Sequence, residues 1–243
     1  MDTVSSRVRG ARFLAVAPNG DVLVSLIGRG QVVAVRAGQA VDAEPLLVAG
    51  GLSNPNGLAF RGNDLYIATW TGVVVIKDYP KGIGSPVRLF SDMPRNGGHN
   101  ARAIALAEDG TIFVSSGSDC NICRESDPRL ATILRYSPGG KYLGIYASGL
   151  RNASGLAFDP HGRLWAVVNQ RDNLAPSHTD LPPDELDLVT EHGDYGWPAC
   201  YPDGSRRVAN PEFAGAACAG ALPTTANFQA HSAPLQATFY RGG

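Results

Sequence analysis

Short apolar runs separated by polar turn residues extend along most of this chain. The runs are five or six residues long, are rich in β-branched and aromatic side chains, and end at Gly, Pro, Asn or Asp. Such runs predict β-strands joined by tight turns, and hardly any segment has the period of an amphipathic helix. The clearest predicted strands are 22–27, 31–35, 65–69, 72–76, 111–115 and 132–136.

A strand, a glycine turn and a second apolar strand recur as one pattern four times. The turn glycines, Gly20, Gly62, Gly110 and Gly162, are 42, 48 and 52 residues apart. A period of about 40 to 50 residues with several short strands per unit is typical of a β-propeller. We therefore predict an all-β propeller that forms one domain, 1–243. Its repeats are expected at roughly 11–54, 55–100, 101–152 and 153–230.

The last segment, 231–243, is similar to the opening of a fifth repeat and stops where its second strand is expected. A propeller closes its ring because an open sheet edge is exposed to pairing with other chains. Four repeats and a fragment form either a small four-bladed ring or an open arc, and we favour an incomplete propeller.

The nearly equal numbers of basic and acidic residues limit which classes of binding partner the protein is expected to have. The chain has 21 Lys and Arg against 22 Asp and Glu and no basic run, which argues against nucleic acid or an anionic membrane surface. No apolar run is long enough to span a bilayer, and the first residues lack the apolar stretch of a secretory leader.

The number of cysteines indicates the redox environment in which the protein folds. The four are Cys120, Cys123, Cys200 and Cys218. An even count in a β-rich chain predicts two disulfides and an oxidising environment, with a zinc site as the alternative use of the thiols. We expect a periplasmic or secreted protein whose leader lies outside this sequence.

Two loops that precede apolar strands carry most of the candidate chemistry. In the first, 95–102, His99 is followed by Asn100 and Arg102, which together offer a neutral base, an amide and a cation. In the second, 148–155, Arg151 precedes Asn152. Loops of this kind meet at one end of a propeller channel, so they predict a pocket for a small anionic or polyoxygenated ligand. The alternative is that these side chains only satisfy the turn backbones.

A third group of segments is rich in carboxylates and exposed carbonyls. It comprises 169–173, 184–187 and 193–198. These oxygen ligands suit Ca²⁺, although their spacing matches no EF-hand loop, and a solvated acidic loop is the alternative. Nucleophile-elbow and phosphate-binding motifs are absent from the sequence.

Together these motifs resemble the soluble glucose/sorbosone dehydrogenase family. The segments that carry the resemblance are 97–102, 149–158, 184–189 and 193–198, and the loop 116–123 is similar to the sorbosone dehydrogenase branch. Members are six-bladed propellers that use pyrroloquinoline quinone (PQQ) and Ca²⁺. The resemblance covers roughly 11–242. It implies oxidation of a sugar, polyol or related alcohol or aldehyde, with electrons passing to an external acceptor.

The resemblance also implies roles for individual residues. His99 matches the general base, a step for which a neutral imidazole near pH 7 is chemically suited. Four residues are expected around the cofactor: Asn100, Arg102, Arg151 and Asn152. Asp172 and Asn173 belong to the segment 169–173, which matches the stretch whose backbone carbonyls hold the cofactor's Ca²⁺, an ion that would polarise the quinone. Glu185 and Tyr195 fall where the family has a second, structural Ca²⁺ site.

Some features depart from the family pattern. Gly98 stands where an Asp often precedes the catalytic His, the stretch between Asp172 and Asp184 is longer, and the later blades lie beyond Gly243. We predict the disulfides Cys120–Cys123 and Cys200–Cys218. Two other functions stay open: a non-catalytic propeller that binds protein or carbohydrate, and a Ca²⁺-dependent sugar lactonase.

Overall fold

The computed structural model describes residues 3–95, 97–174 and 180–240, and these residues are almost entirely strands and turns. The end of the predicted fifth repeat, 241–243, lies outside them. The chain forms two compact units, one up to Met93 and one from Pro94 onward. No helix in the described residues is long and apolar enough to cross a membrane.

The first unit contains two four-stranded antiparallel sheets, each with its strands in chain order. The first sheet comprises β1 (Leu14–Val16), β2 (Val22–Leu26), β3 (Gln31–Val35) and β4 (Leu46–Ala49). The second comprises β5 (Leu58–Arg61), β6 (Asp64–Thr69), β7 (Gly72–Ile76) and β8 (Val87–Phe90). A turn of 3₁₀ helix, Ile27–Arg29, follows β2. These meandering sheets are propeller blades.

The core of the first unit lies between its two sheets. Leu23 and Val32 from one sheet pack in the same buried cluster as Leu65, Ile67 and Ile76 from the other. Central strands of a blade are covered on both faces, which explains why their apolar residues form continuous runs instead of alternating. Each fully buried aliphatic side chain of this kind stabilises the fold by about 1.5–3 kcal/mol.

The second unit contains two further blades and a hairpin. The third blade comprises β9 (Ile104–Leu106), β10 (Ile112–Ser116), β11 (Thr132–Tyr136) and β12 (Tyr142–Ser148), with β16 (Gly193–Asp194) parallel to β12. The fourth comprises β13 (Ala153–Phe158), β14 (Leu164–Val168), β15 (Glu185–Val189) and β19 (Ala226–Asn227). The hairpin is β17 (Cys200–Asp203) and β18 (Arg206–Ala209). Two 3₁₀ turns are Pro211–Phe213 and Cys218–Gly220.

The prediction of an all-β propeller fold is confirmed. Each sheet begins with the strand that precedes a turn glycine, and Gly20 and Gly110 adopt φ of 85° and 89°, which side chains other than hydrogen disfavour. The first two predicted repeats each contain one sheet, whereas the third sheet includes β16 from the fourth predicted repeat. The repeat boundaries and the single domain 1–243 stay predictions.

Both predicted disulfides are present in the second unit. Cys120 is bonded to Cys123 and Cys200 to Cys218, and no free cysteine is found. The sulfur atoms are therefore not free to ligate a metal, and the alternative of a zinc site has no support.

Candidate active site

His99 lies in the loop before β9 and is held by a residue of the next loop. Its Nδ1 is 3.0 Å from the carbonyl oxygen and 2.9 Å from the hydroxyl oxygen of Ser118. That hydroxyl donates its own proton to the carbonyl of Cys120, at 2.7 Å. Since both Ser118 atoms act as acceptors, Nδ1 carries the proton and the lone pair lies on Nε2.

The electrostatic surroundings keep the His99 imidazole neutral. Burial lowers the pKa of His99 below its ordinary value of 6.5, and the positive charge of Arg151 lowers it further. The Ser118 contact and the Asp172 carboxylate act in the opposite direction and are outweighed. A neutral ring with a basic Nε2 is the form that accepts a proton at pH 7.

The local backbone explains why glycine precedes His99. A Cβ at Gly98 would collide with the carbonyl oxygen of Asp119 and lie 2.9 Å from that of Ser118. An Asp would therefore not fit here without a backbone shift. Ser118 instead fixes the ring, so orientation of His99 does not depend on a carboxylate at position 98.

Arg151 lies between β12 and β13 and is buried. Its Nη1 donates to the carbonyls of Gln170 and Asn169, at 2.7 and 3.2 Å. Its Nε donates to the carbonyl of Asn121 at 3.0 Å, and Nη2 donates to the side-chain oxygen of Asn121 at 2.9 Å. Burial lowers the pKa of Arg151 to about 10, so the guanidinium remains charged at pH 7.

Asn152 supplies an acceptor beside this cation. Its Nδ2 donates to Oδ1 of Asn169 at 3.2 Å. Its Oδ1 is buried and has no hydrogen-bond partner among the described residues. A buried polar atom without a partner is costly, so this atom favours a polar ligand group nearby.

A cavity of about 200 Å³ brings several predicted residues together within the second unit. The predicted residues that line it are His99, Arg151, Asn152 and Asp172. Other residues that line it, Asn169, Gln170 and Asp184, belong to the segments predicted as calcium ligands, whereas sequence reasoning gave no role to His231. Nδ1 of His231 is 3.2 Å from Oδ1 of Asp172, which is 59 positions away, and no local sequence signal could have found that contact.

Three residues predicted around the cofactor and its calcium ion do not line this cavity, nor do Glu185 and Tyr195 of the predicted second calcium site. Arg102 is fully buried and donates to the hydroxyl of Ser116 and the carbonyl of Pro94. Asn100 is also outside the lining, and the carbonyl of Asn173 accepts a 3.4 Å hydrogen bond from Arg171. The role of Asn173 as a calcium ligand stays a prediction, and the exposed Asp172 carboxylate is an oxygen donor at the cavity.

Glu185 and Tyr195 make contacts within the protein, and their assignment to a second calcium site stays a prediction. Glu185 Oε2 is 2.6 Å from Nη2 of Arg207, and both side chains are 1% exposed. The Tyr195 hydroxyl donates to the carbonyl of Leu188 at 2.6 Å. Burial raises the pKa of Glu185 and, more strongly, that of Asp187, which lies 4.0 Å from Arg207. The guanidinium already supplies the positive charge that a metal ion would bring.

The charged Arg151 suits an anionic ligand such as PQQ. The unpartnered amide oxygen of Asn152 and the basic nitrogen of neutral His99 are acceptors, which suit a donor such as a substrate hydroxyl. In the described part of the chain, three metal-binding side chains come together at Cys120, Cys123 and Glu125 alone, where the sulfurs are in a disulfide.

Four-stranded antiparallel blades of this kind define a β-propeller protein, and loops of the second unit form the polar cavity. The chain belongs to the TrAA12-like family, whose model matches residues 1–243. This confirms the resemblance read from the sequence, since the similar solved structures include PQQ-containing sugar dehydrogenases.

Several solved structures share the fold. The family AA12 carbohydrate-active enzyme of Trichoderma reesei superposes with a TM-score of 0.78 at 22% identity, over 96% of this chain and 71% of that one. The PQQ domain of pyranose dehydrogenase from Coprinopsis cinerea gives 0.82 at 19% identity, over 99% and 70%. The PQQ-bound aldose sugar dehydrogenase of Streptomyces coelicolor gives 0.65 at 21% identity, over 94% and 71%. At such identities the likeness shows the fold alone.

A curated relative is a protein of Borreliella burgdorferi, described as uncharacterized, that is 27% identical over 217 residues. The match covers 80% of this chain and 54% of the relative. The chain thus spans about half the length of that relative.

Proposed function

We propose that this protein oxidises a sugar or a related alcohol or aldehyde with PQQ as its cofactor. The observation that carries the proposal is the meeting of a neutral His99, a charged Arg151 and the orphaned oxygen of Asn152 at one cavity. Membership of the TrAA12-like family and the PQQ-containing neighbours support it.

Each residue has a defined task in this proposal. Bound PQQ would supply a two-electron acceptor for a hydride from the substrate carbon. Arg151 holds a fixed positive charge against the anionic cofactor without needing to rotate, because its nitrogens are already anchored to backbone carbonyls. Asp172 would offer an oxygen ligand to Ca²⁺ beside the cofactor. A calcium structure of the T. reesei enzyme, which has a similar fold, supports this part of the proposal.

His99 takes the substrate's hydroxyl proton on Nε2. Its Nδ1–H stays directed at Ser118, which keeps the ring in one tautomer and stabilises the positive charge that the ring acquires. General-base catalysis of this kind contributes about 10²- to 10⁴-fold in rate.

The test is His99→Gln in the purified protein supplied with PQQ and Ca²⁺. We expect dye reduction with aldoses, sorbosone and other polyols to fall by about 10²- to 10⁴-fold, because the proton acceptor is lost. Uptake of PQQ, followed by its absorbance, should persist. The matched control is His192→Gln, since His192 is 80% exposed and does not line the cavity.

The pH profile sharpens this test. Because burial lowers the pKa of His99, the wild-type kcat/KM should stay constant down to below pH 6.5 and decline as the ring becomes protonated. Full activity in His99→Gln would contradict the proposal. Uptake of a sugar without PQQ uptake or turnover would favour a binding module, and metal-dependent lactone hydrolysis would favour a lactonase.

A further inference from the structure

Asn121, a residue that the proposed function does not use, joins two parts of the candidate active site. Its side-chain oxygen accepts hydrogen bonds from Arg151 Nη2 and from the backbone N–H of Asp172, both at 2.9 Å. Its Nδ2 donates to the carbonyl of Asp172 at 2.8 Å. Its backbone carbonyl accepts from Arg151 Nε at 3.0 Å.

Three of these four hydrogen bonds involve the Asn121 side chain, which uses its oxygen twice and its Nδ2 once. The Asn121 amide donates to the Asp172 carbonyl and accepts from the Asp172 N–H, which is the pairing that a neighbouring β-strand makes with a residue. The same oxygen also anchors the guanidinium. Arg151 and Asp172 are themselves 4.0 Å apart between Nη2 and Oδ2, so Asn121 holds a cation and a carboxylate beside each other.

The loop that presents Asn121 is closed by a disulfide. Cys120 and Cys123 bracket the residue, in a segment between β10 and β11 that has no strand of its own among the described residues. A short covalent ring limits the conformations open to such a loop. The carbonyl of Cys120 also accepts the hydrogen bond from Ser118, the residue that orients His99.

We propose that Asn121 is a positioning residue that fixes Arg151 and Asp172 for an anionic cofactor, and that the Cys120–Cys123 disulfide keeps it in place. The inference rests on the proposed function in one respect, the identity of the cofactor as PQQ. The arrangement of Arg151 and Asp172 depends on Asn121 whether or not PQQ is the ligand.

The first variant is Asn121→Ala, and the second is Asn121→Asp, which keeps the acceptor oxygen but loses the donor to Asp172. We expect Asn121→Ala to weaken PQQ binding about tenfold or more, as the loss of hydrogen bonds to a charged group does. Asn121→Asp keeps the acceptor for Arg151 Nη2 and for the Asp172 amide, so it serves as the comparison for the order of the Asp172 backbone. Its added negative charge is itself expected to weaken binding of anionic PQQ. The matched control is the exposed Asn63→Ala.

The readouts are PQQ affinity, from an absorbance titration in Ca²⁺, and exchange of the Asp172 amide hydrogen. Faster exchange in Asn121→Ala than in Asn121→Asp supports positioning, since the amide donates to Asn121 alone in the described contacts. Replacing both Cys120 and Cys123 by Ser should also speed this exchange and weaken PQQ binding.

The outcomes separate the inference from the proposed function. Unchanged PQQ affinity in Asn121→Ala would overturn the inference while leaving the function intact. A loss of thermal stability with unchanged affinity of the folded fraction would also overturn it, because the role would be structural. A wild-type protein that takes up no PQQ would overturn the function, and the Asp172 exchange rates would then decide the inference by themselves.

Discussion

The two units are built from the same kind of blade but differ in how deeply their charged side chains are buried. In the first unit the Lys77–Asp64 and Lys81–Asp78 pairs lie at the surface. In the second unit four arginines are buried: Arg102, Arg151, Arg171 and Arg207. The two blades of the first unit form without a buried arginine among the described residues, so blade formation does not require one. Of the buried arginines of the second unit, Arg102, Arg151 and Arg171 lie outside strands and Arg207 lies on β18.

The buried charge of the first unit has a different kind of partner. Asp21 is 7% exposed and accepts hydrogen bonds from neutral groups, the Tyr79 hydroxyl at 2.8 Å and the Ala37 amide at 3.0 Å. In the second unit Glu185 faces the full charge of Arg207 instead. Neutral donors satisfy one carboxylate, whereas two neighbouring carboxylates, Glu185 and Asp187, require a cation.

The largest expected effect comes from removing that cation. Arg207→Met should lower the free energy of unfolding by about 3–5 kcal/mol, because Glu185 and Asp187 are then left buried without a counter-ion. Tryptophan fluorescence in a denaturant series measures it. Arg206→Met, on the same strand but with a 77% exposed side chain, should change little. Equal stabilities of the two variants would contradict the comparison, and Ca²⁺-dependent stability of the wild type that Glu185→Gln abolishes would support the predicted calcium site.

A substitution in the first unit is expected to lower the free energy of unfolding by an intermediate amount. Tyr79→Phe should cost about 1.5–3 kcal/mol at neutral pH, since it removes a hydrogen bond to the charged Asp21. Burial alone would raise the pKa of Asp21, but the bonds from Ala37, Tyr79 and Asn19 hold it below its ordinary 3.8.

The pH dependence of this variant follows from the lowered pKa of Asp21. A lowered folded-state pKa gives stability that is present above the unfolded value and lost as pH falls through the folded value. The difference between wild type and Tyr79→Phe should therefore shrink below about pH 4. A difference that stays constant down to pH 2 would show that Tyr79 acts through packing instead of through Asp21.

The smallest effect is expected at the surface. Lys77→Met should change the free energy of unfolding by about 0–1 kcal/mol, because the Lys77–Asp64 pair is exposed to solvent. The small change should diminish further in 1 M salt, where charges are screened within about 3 Å. A loss comparable with that of Arg207→Met would remove the distinction between the two units.

Much of the fold was predictable because its signals are local. The strand predicted at 22–27 is β2, Val22–Leu26, and the one predicted at 132–136 is β11. Turn glycines and β-branched runs act through neighbouring residues, so they can be recognised without knowing the rest of the chain. The loops with His99 and Arg151 were also found locally, since each motif is contiguous.

What the sequence by itself determined is thus the blade pattern, the cysteine pairs and the position of two loops rich in candidate residues. Only the tertiary structure decided that Arg102 supports a loop away from the cavity, that Arg207 neutralises Glu185, and that Asn121 reaches Arg151. The physical reason is distance along the chain: a backbone preference acts over a few residues, whereas the partner of a buried polar group is set by which segments the packed blades bring together.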